Sequence, residues 1–111
     1  MKVTTKNLRR CDVVIAEGRI DSSTVKILAQ TLASIKDAGR YKIVLNMKDV
    51  TFISSAGLGE LVDTQKTCRY LKRGELVLAE LPLKIEEVLD LTGLKPLFKI
   101  FDNDIEAVGS F

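Results

Sequence analysis

The apolar positions of this chain change their period several times, and each change marks an element. Val13-Val14-Ile15-Ala16 is a short apolar run closed by Glu17-Gly18, which predicts a strand. A weaker strand over residues 3–8 precedes it across a polar turn at residues 9–12, so the chain is expected to open on an antiparallel hairpin. Val25, Leu28, Leu32 and Ile35 then recur at helical spacing. Asp21-Ser22-Ser23 offers N-cap chemistry before that helix, and Gly39 stands just past its expected end. Ile43-Val44-Leu45 is continuously apolar, the pattern of a strand covered on both faces. From 56 to 73 the period is helical again, with Leu58, Leu61 and Val62 inward and Glu60, Asp63, Lys66, Arg69 and Arg73 outward. Gly74 ends that helix, and Glu75-Leu76-Val77-Leu78-Ala79 predicts the next buried strand. Residues 43–79 therefore have the length and order of a βαβ crossover, which is expected to be right-handed. Pro82 opens a third helix on Ile85, Val88 and Leu89, and Gly93 stops it with Leu94 placed for a C-cap contact. Phe98, Ile100 and Phe101 predict a last short strand, and residues 102–108 a terminal helical turn. One α/β domain over 1–111 is the expectation.

Composition narrows the functional classes. A hydrophobic fraction of 46% with 29% charged residues fits a globular chain with a core of its own. A formal charge of +2 and an aromatic content of 5% argue against direct nucleic-acid binding. No apolar stretch approaches the roughly 20 residues of a membrane span, and the first residues lack the apolar run of a signal peptide, so a cytoplasmic address is expected. The chain has no histidine, which removes Ser-His-Asp and Cys-His catalysis and most zinc sites. Cys11 and Cys68 lie far apart without CxxC spacing and are expected to be reduced packing or surface residues.

The candidate chemistry lies in Asp49-Val50-Thr51-Phe52-Ile53-Ser54-Ser55-Ala56-Gly57-Leu58-Gly59. Two adjacent hydroxyls stand where a strand pattern gives way to a helix, followed by small residues. Two readings are open there: a serine N-cap, or an exposed serine that can be modified without disturbing a core. Gly57 and Gly59 lack the lysine and spacing of a Walker A loop, so they are expected to let the helix start close to the sheet or to a partner. Lys66, Arg69, Lys72 and Arg73 follow acidic Glu60 and Asp63 in the order that suits a helix dipole, as a solvated face would. Asp21 and Asp49 stand at apparent strand ends and read as caps or turn formers. If the strands before Asp21 and Ser54 run the same way, both turns share the carboxyl edge of the sheet, where α/β domains usually place function.

These residues resemble a known family. The segment from Asp49 to Gly59 is similar to the signature of STAS domains, particularly bacterial anti-sigma factor antagonists. Gly18-Arg19-Ile20-Asp21 resembles the family's turn before its first helix. Ile43-Val44-Leu45-Asn46-Met47 resembles its central strand, which usually ends in Asp-Leu, and Val88-Leu89-Asp90-Leu91-Thr92-Gly93-Leu94 resembles its third helix and stop. The resemblance implies a single STAS-like α/β domain, a mixed sheet of four to five strands with helices mainly on one face.

The resemblance also implies a cycle. An unmodified antagonist binds an anti-sigma factor that is itself a serine kinase, and so frees a sigma factor. The kinase inactivates the antagonist on one serine and a serine phosphatase restores it. The phosphoacceptor falls on Ser55, with Ser54 second, and Asp21, Ser22, Ser54, Ser55, Ala56, Gly57 and Leu58 fall on the partner-binding surface. No catalytic residue, metal, cofactor, nucleic acid or membrane insertion is implied. Two positions depart from the family: Ser54 where an aspartate is common, and Ala56 where a second hydroxyl often stands. Other STAS domains are scaffolds of stress-sensing assemblies or subunits of membrane transport systems, which is the alternative role.

Overall fold

A mixed sheet forms the middle of the computed structural model, which describes residues 1–70 and 74–111. The strands are β1 (Lys2–Asn7), β2 (Asp12–Ile20), β3 (Lys42–Ile53), β4 (Glu75–Ala79) and β5 (Ile100–Phe101). Their spatial order is the sequence order. β1 pairs antiparallel with β2, and every later pair is parallel. The helices among the described residues are α1 (Val25–Asp37), α2 (Ser55–Tyr70), α3 (Leu83–Leu91) and α4 (Asp104–Gly109), with a 3-10 turn at Lys95–Leu97. Residues 71–73 lie outside the described residues, and with them Lys72, Arg73 and the expected last turn of the second helix.

Helices cover the two sheet faces unequally. Leu28, Leu32 and Ile35 of α1, Leu58, Leu61 and Cys68 of α2, and Ile85 and Leu89 of α3 pack on Val14, Ile43, Leu45, Met47, Leu76 and Leu78. The other face carries a smaller cluster, in which Ala107 of α4 meets Val13, Val44, Val77 and Ala79. β3 and β4 thus have apolar side chains on both faces, which is why their sequences read as continuous runs instead of alternating ones. A polar clip seats α4. The Asn46 amide donates to Glu80 Oε2 at 2.6 Å and to Asp104 Oδ1 at 2.9 Å, while its own oxygen accepts from Lys48 N.

Three boundaries depart from the sequence pattern. β2 does not close at Glu17-Gly18. Gly18 takes a left-handed φ of +99° inside the strand, and parallel pairing continues to Ile20↔Ile53. β3 runs well past its apolar triplet to Ile53, around register shifts opposite Ile15/Glu17 and Gly18/Arg19 that blur its alternation. Asp12 is the buried first residue of β2 and no part of the hairpin turn, which closes through Leu8 N donating to Cys11 O. An ion pair with Arg40 makes that burial possible.

Candidate docking edge at the ends of two parallel strands

β2 and β3 end side by side at the register pair Ile20 and Ile53, and the chain leaves each of them through a hydroxyl-bearing turn. Ser54 N donates to Ile20 O at 2.8 Å, extending the parallel ladder by one bond before α2 begins. Ser54 is half-buried and caps that helix. Its carbonyl accepts from Leu58 N at 2.9 Å, and its Oγ receives Gly57 N at 3.4 Å, a long capping bond. Ser55 is the first helical residue and is exposed, as is Ala56. The two readings of the serine pair therefore separate by position: one hydroxyl caps and its neighbour faces solvent.

Gly57 decides how low the helix sits. A Cβ there would lie 2.7 Å from both Ile20 Cγ2 and Ile53 Cγ1, so the glycine lets the first turn rest directly on the strand ends. Gly59 differs, being exposed with open space where a Cβ would go. Gly57 and Leu58 are themselves buried, so of the sequence-derived docking set they act from beneath, by holding the turn at its height.

The neighbouring turn is built on Asp21. Its Oδ1 accepts from Ser23 Oγ at 2.7 Å, Ser23 N at 3.0 Å and Thr24 N at 3.2 Å, while its carbonyl receives Val25 N. The carboxylate thus organises the turn from three positions before the helix boundary, which falls at Thr24. The Ser23 hydroxyl bond is the foremost reason that the Asp21 pKa falls from 3.8 to about 2. The folded-state value is depressed, so the charge stabilises the fold fully above the ordinary value and progressively less as pH falls through about 2. Asp21→Asn is therefore expected to melt below wild type above about pH 4, the gap narrowing toward pH 2. Thermal unfolding of both proteins across that range checks it.

Two further side chains share this edge, and the sequence pattern does not single them out. Arg19 and Phe52 are register partners one step before Ile20 and Ile53. The Arg19 guanidinium carbon lies 4.3 Å from the centre of the Phe52 ring, and its Nε lies 3.6 Å from Asp21 Oδ2. The available signal is an arginine and a phenylalanine each two residues before a turn, but only strand register brings them together.

Other candidates lie elsewhere. Asp49 is an exposed mid-strand residue paired in register with Glu17, so it is no turn former. Arg69 donates to Glu75 Oε2 and to Leu97 O, which ties α2 to β4 and the 3-10 turn. Cys11 and Cys68 are buried free thiols whose pKa values are raised, foremost by that burial.

The domain model of one family, described as the STAS domain, matches residues 2–107, nearly the whole of this fold. The chain belongs to the STAS domain family. Among relatives of this STAS domain is BtrV of Bordetella bronchiseptica, named as a candidate anti-sigma factor antagonist. It is 30% identical over 111 residues, which cover 100% of this chain and 95% of BtrV. A solved structure from Thermotoga maritima, also titled as a candidate anti-sigma factor antagonist, superimposes with a TM-score of 0.90 at 25% identity, covering 97% of this chain and 92% of that one. SpoIIAA of Bacillus has been solved in a phosphorylated form, with a TM-score of 0.77 at 17% identity and coverage of 98% of each chain, a likeness of fold alone. No helix among the described residues is long and apolar enough to cross a membrane.

Proposed function

We propose that this STAS domain is a non-enzymatic regulatory module, an anti-sigma factor antagonist working in the cytoplasm. Unmodified, it docks the carboxyl edge formed by Asp21, Ser22, Ser54, Ser55 and Ala56 onto an anti-sigma factor that is also a serine kinase, and thereby frees a sigma factor. Gly57 and Leu58 support that edge from below. Phosphorylation of Ser55 ends docking, and a serine phosphatase reverses it. The observation that carries this reading is the exposed Ser55 at the first position of α2, beside a half-buried Ser54 whose Oγ accepts a long bond from Gly57 N. Relatives named as anti-sigma factor antagonists support it.

The switch is physically consistent. A phosphate adds about −1.5 to −2 charge, and at a helix N-terminus it meets backbone N–H groups that lack intrahelical acceptors. The helix should therefore persist while docking fails, because the new charge would be buried without a partner. That penalty is roughly 2–5 kcal/mol, or about thirtyfold to several thousandfold in affinity.

Incubation with the cognate kinase and ATP, followed by phosphosite mapping, tests the assignment. Ser55→Ala is expected to abolish labelling, and Ser55→Glu to weaken binding of the anti-sigma factor by about thirtyfold or more while its circular dichroism stays that of wild type. Efficient labelling of Ser55→Ala, or wild-type affinity in Ser55→Glu, would show the acceptor or the switch to be wrong.

A further inference from the structure

The geometry points to Arg19, stacked on Phe52, as a receptor for a carboxylate on the docking partner, and so as a specificity element of the edge proposed above, on which this inference rests. The Arg19 side chain is 60% exposed, and Phe52 is 40% exposed and outside the packed core. A long cation at such a site is ordinarily mobile. This one is held from two sides, by the ring face at 4.3 Å and by Asp21 Oδ2 at 3.6 Å. Neither contact uses up its donors. The ring lies against the guanidinium carbon, and the approach of Asp21 is to Nε at a distance beyond a hydrogen bond. Asp21 Oδ1 is meanwhile committed to Ser23 and Thr24.

What remains is the planar fork of terminal N–H groups on a largely exposed side chain, and such a fork matches a carboxylate bidentately. Its place makes it part of the docking edge. Arg19 and Phe52 precede Asp21 and Ser54 by two residues on adjacent parallel strands, about 7 Å along the sheet. Arginine and aromatic side chains are also the classes that dominate binding energy at protein interfaces. An acidic partner surface over Arg19 would in addition repel a phosphate on Ser55, so one charge arrangement would favour the unmodified form and reject the modified one.

The test measures affinity of the unmodified chain for the purified anti-sigma factor kinases of its source organism, each assayed singly. Arg19→Ala is expected to weaken binding by about tenfold or more, with unchanged circular dichroism. Arg19→Lys should remain nearer to alanine than to wild type, because the charge is kept and the stacked fork is lost. Phe52→Leu should weaken binding as well, and the double variant should lose less than the product of the two singles. Arg19→Glu should be rescued by an acid-to-arginine change on the partner. If wild type binds and phosphorylation abolishes binding, yet Arg19→Ala stays within about twofold, this inference falls and the proposed function stands. A wild-type chain that binds none of the kinases overturns both.

Discussion

Gly74→Ala is expected to destabilise the chain by about 3 kcal/mol or more, although it adds a single methyl group. A Cβ at that position would overlap the carbonyl carbon and oxygen of Tyr41 and lie 2.8 Å from Lys42 N. Those are backbone atoms, so no side chain can rotate away. The same carbonyl accepts Glu75 N at 2.9 Å, the bond that opens the parallel ladder between β3 and β4. Relief would have to pull the two central strands apart at their starting point. Gly59→Ala is the matched control, since a Cβ there meets nothing within 4 Å and alanine is the better helix former by up to about 1 kcal/mol. Urea unfolding should show a large loss for the first variant and none for the second. A Gly74→Ala protein as stable as wild type would mean that this crossing of chains is looser than described.

The second large effect is expected from Arg40→Ala, a loss of about 3 kcal/mol, from the lower end of the range for breaking a buried ion pair because Arg40 itself is partly exposed. Its Nε lies 2.6 Å from Asp12 Oδ2, and its Nη2 donates to the carbonyls of Leu8 and Cys11. One guanidinium thus closes the β1–β2 hairpin and neutralises a carboxylate that is only 2% exposed. Removing the arginine leaves that charge buried without its partner. Removing both charges together should be milder, so Asp12→Asn combined with Arg40→Ala is expected to recover part of the loss. Denaturant unfolding of the two single variants and the pair measures the coupling. Equal losses in Arg40→Ala and the double variant would assign the effect to the carbonyl contacts instead of the charge.

Both effects turn on contacts that the linear pattern does not contain. Gly74 is legible as a helix stop, but its crowding against Tyr41 depends on how two strands start side by side. Asp12 looks like a turn residue until Arg40, 28 positions away, is seen to pair with it. Gln65 sits among apolar neighbours on α2, yet its side chain is buried and bonded to Leu76 N, Leu76 O and Leu97 O. By contrast, α1, α3, β4 and the first half of β3 follow from local periods, because each buries a face whose spacing is its own secondary structure. The second half of β3 breaks its alternation at register shifts, which blurs that signal. The proposed docking edge divides the same way. The Asp21 turn and the Ser54-Ser55 step are visible as strings of residues, and their adjacency follows once β2 and β3 are known to be parallel. The Arg19–Phe52 stack needs the register itself.

The unequal covering of the sheet has a consequence for how the molecule comes apart. Three helices hold one face, while α4, six residues long, is the helix packed on the other, seated by Ala107 and the Asn46 clip. A helix that short has little stability of its own. It is therefore the natural first unit to detach under mild stress, while the three-helix side and the central strands remain intact. The opened form would display Val44, Val77 and Ala79 as a bare apolar strip on an otherwise native sheet, and such a strip is a route to self-association. By holding α4 in its seat, the Asn46 clip therefore also keeps that strip covered.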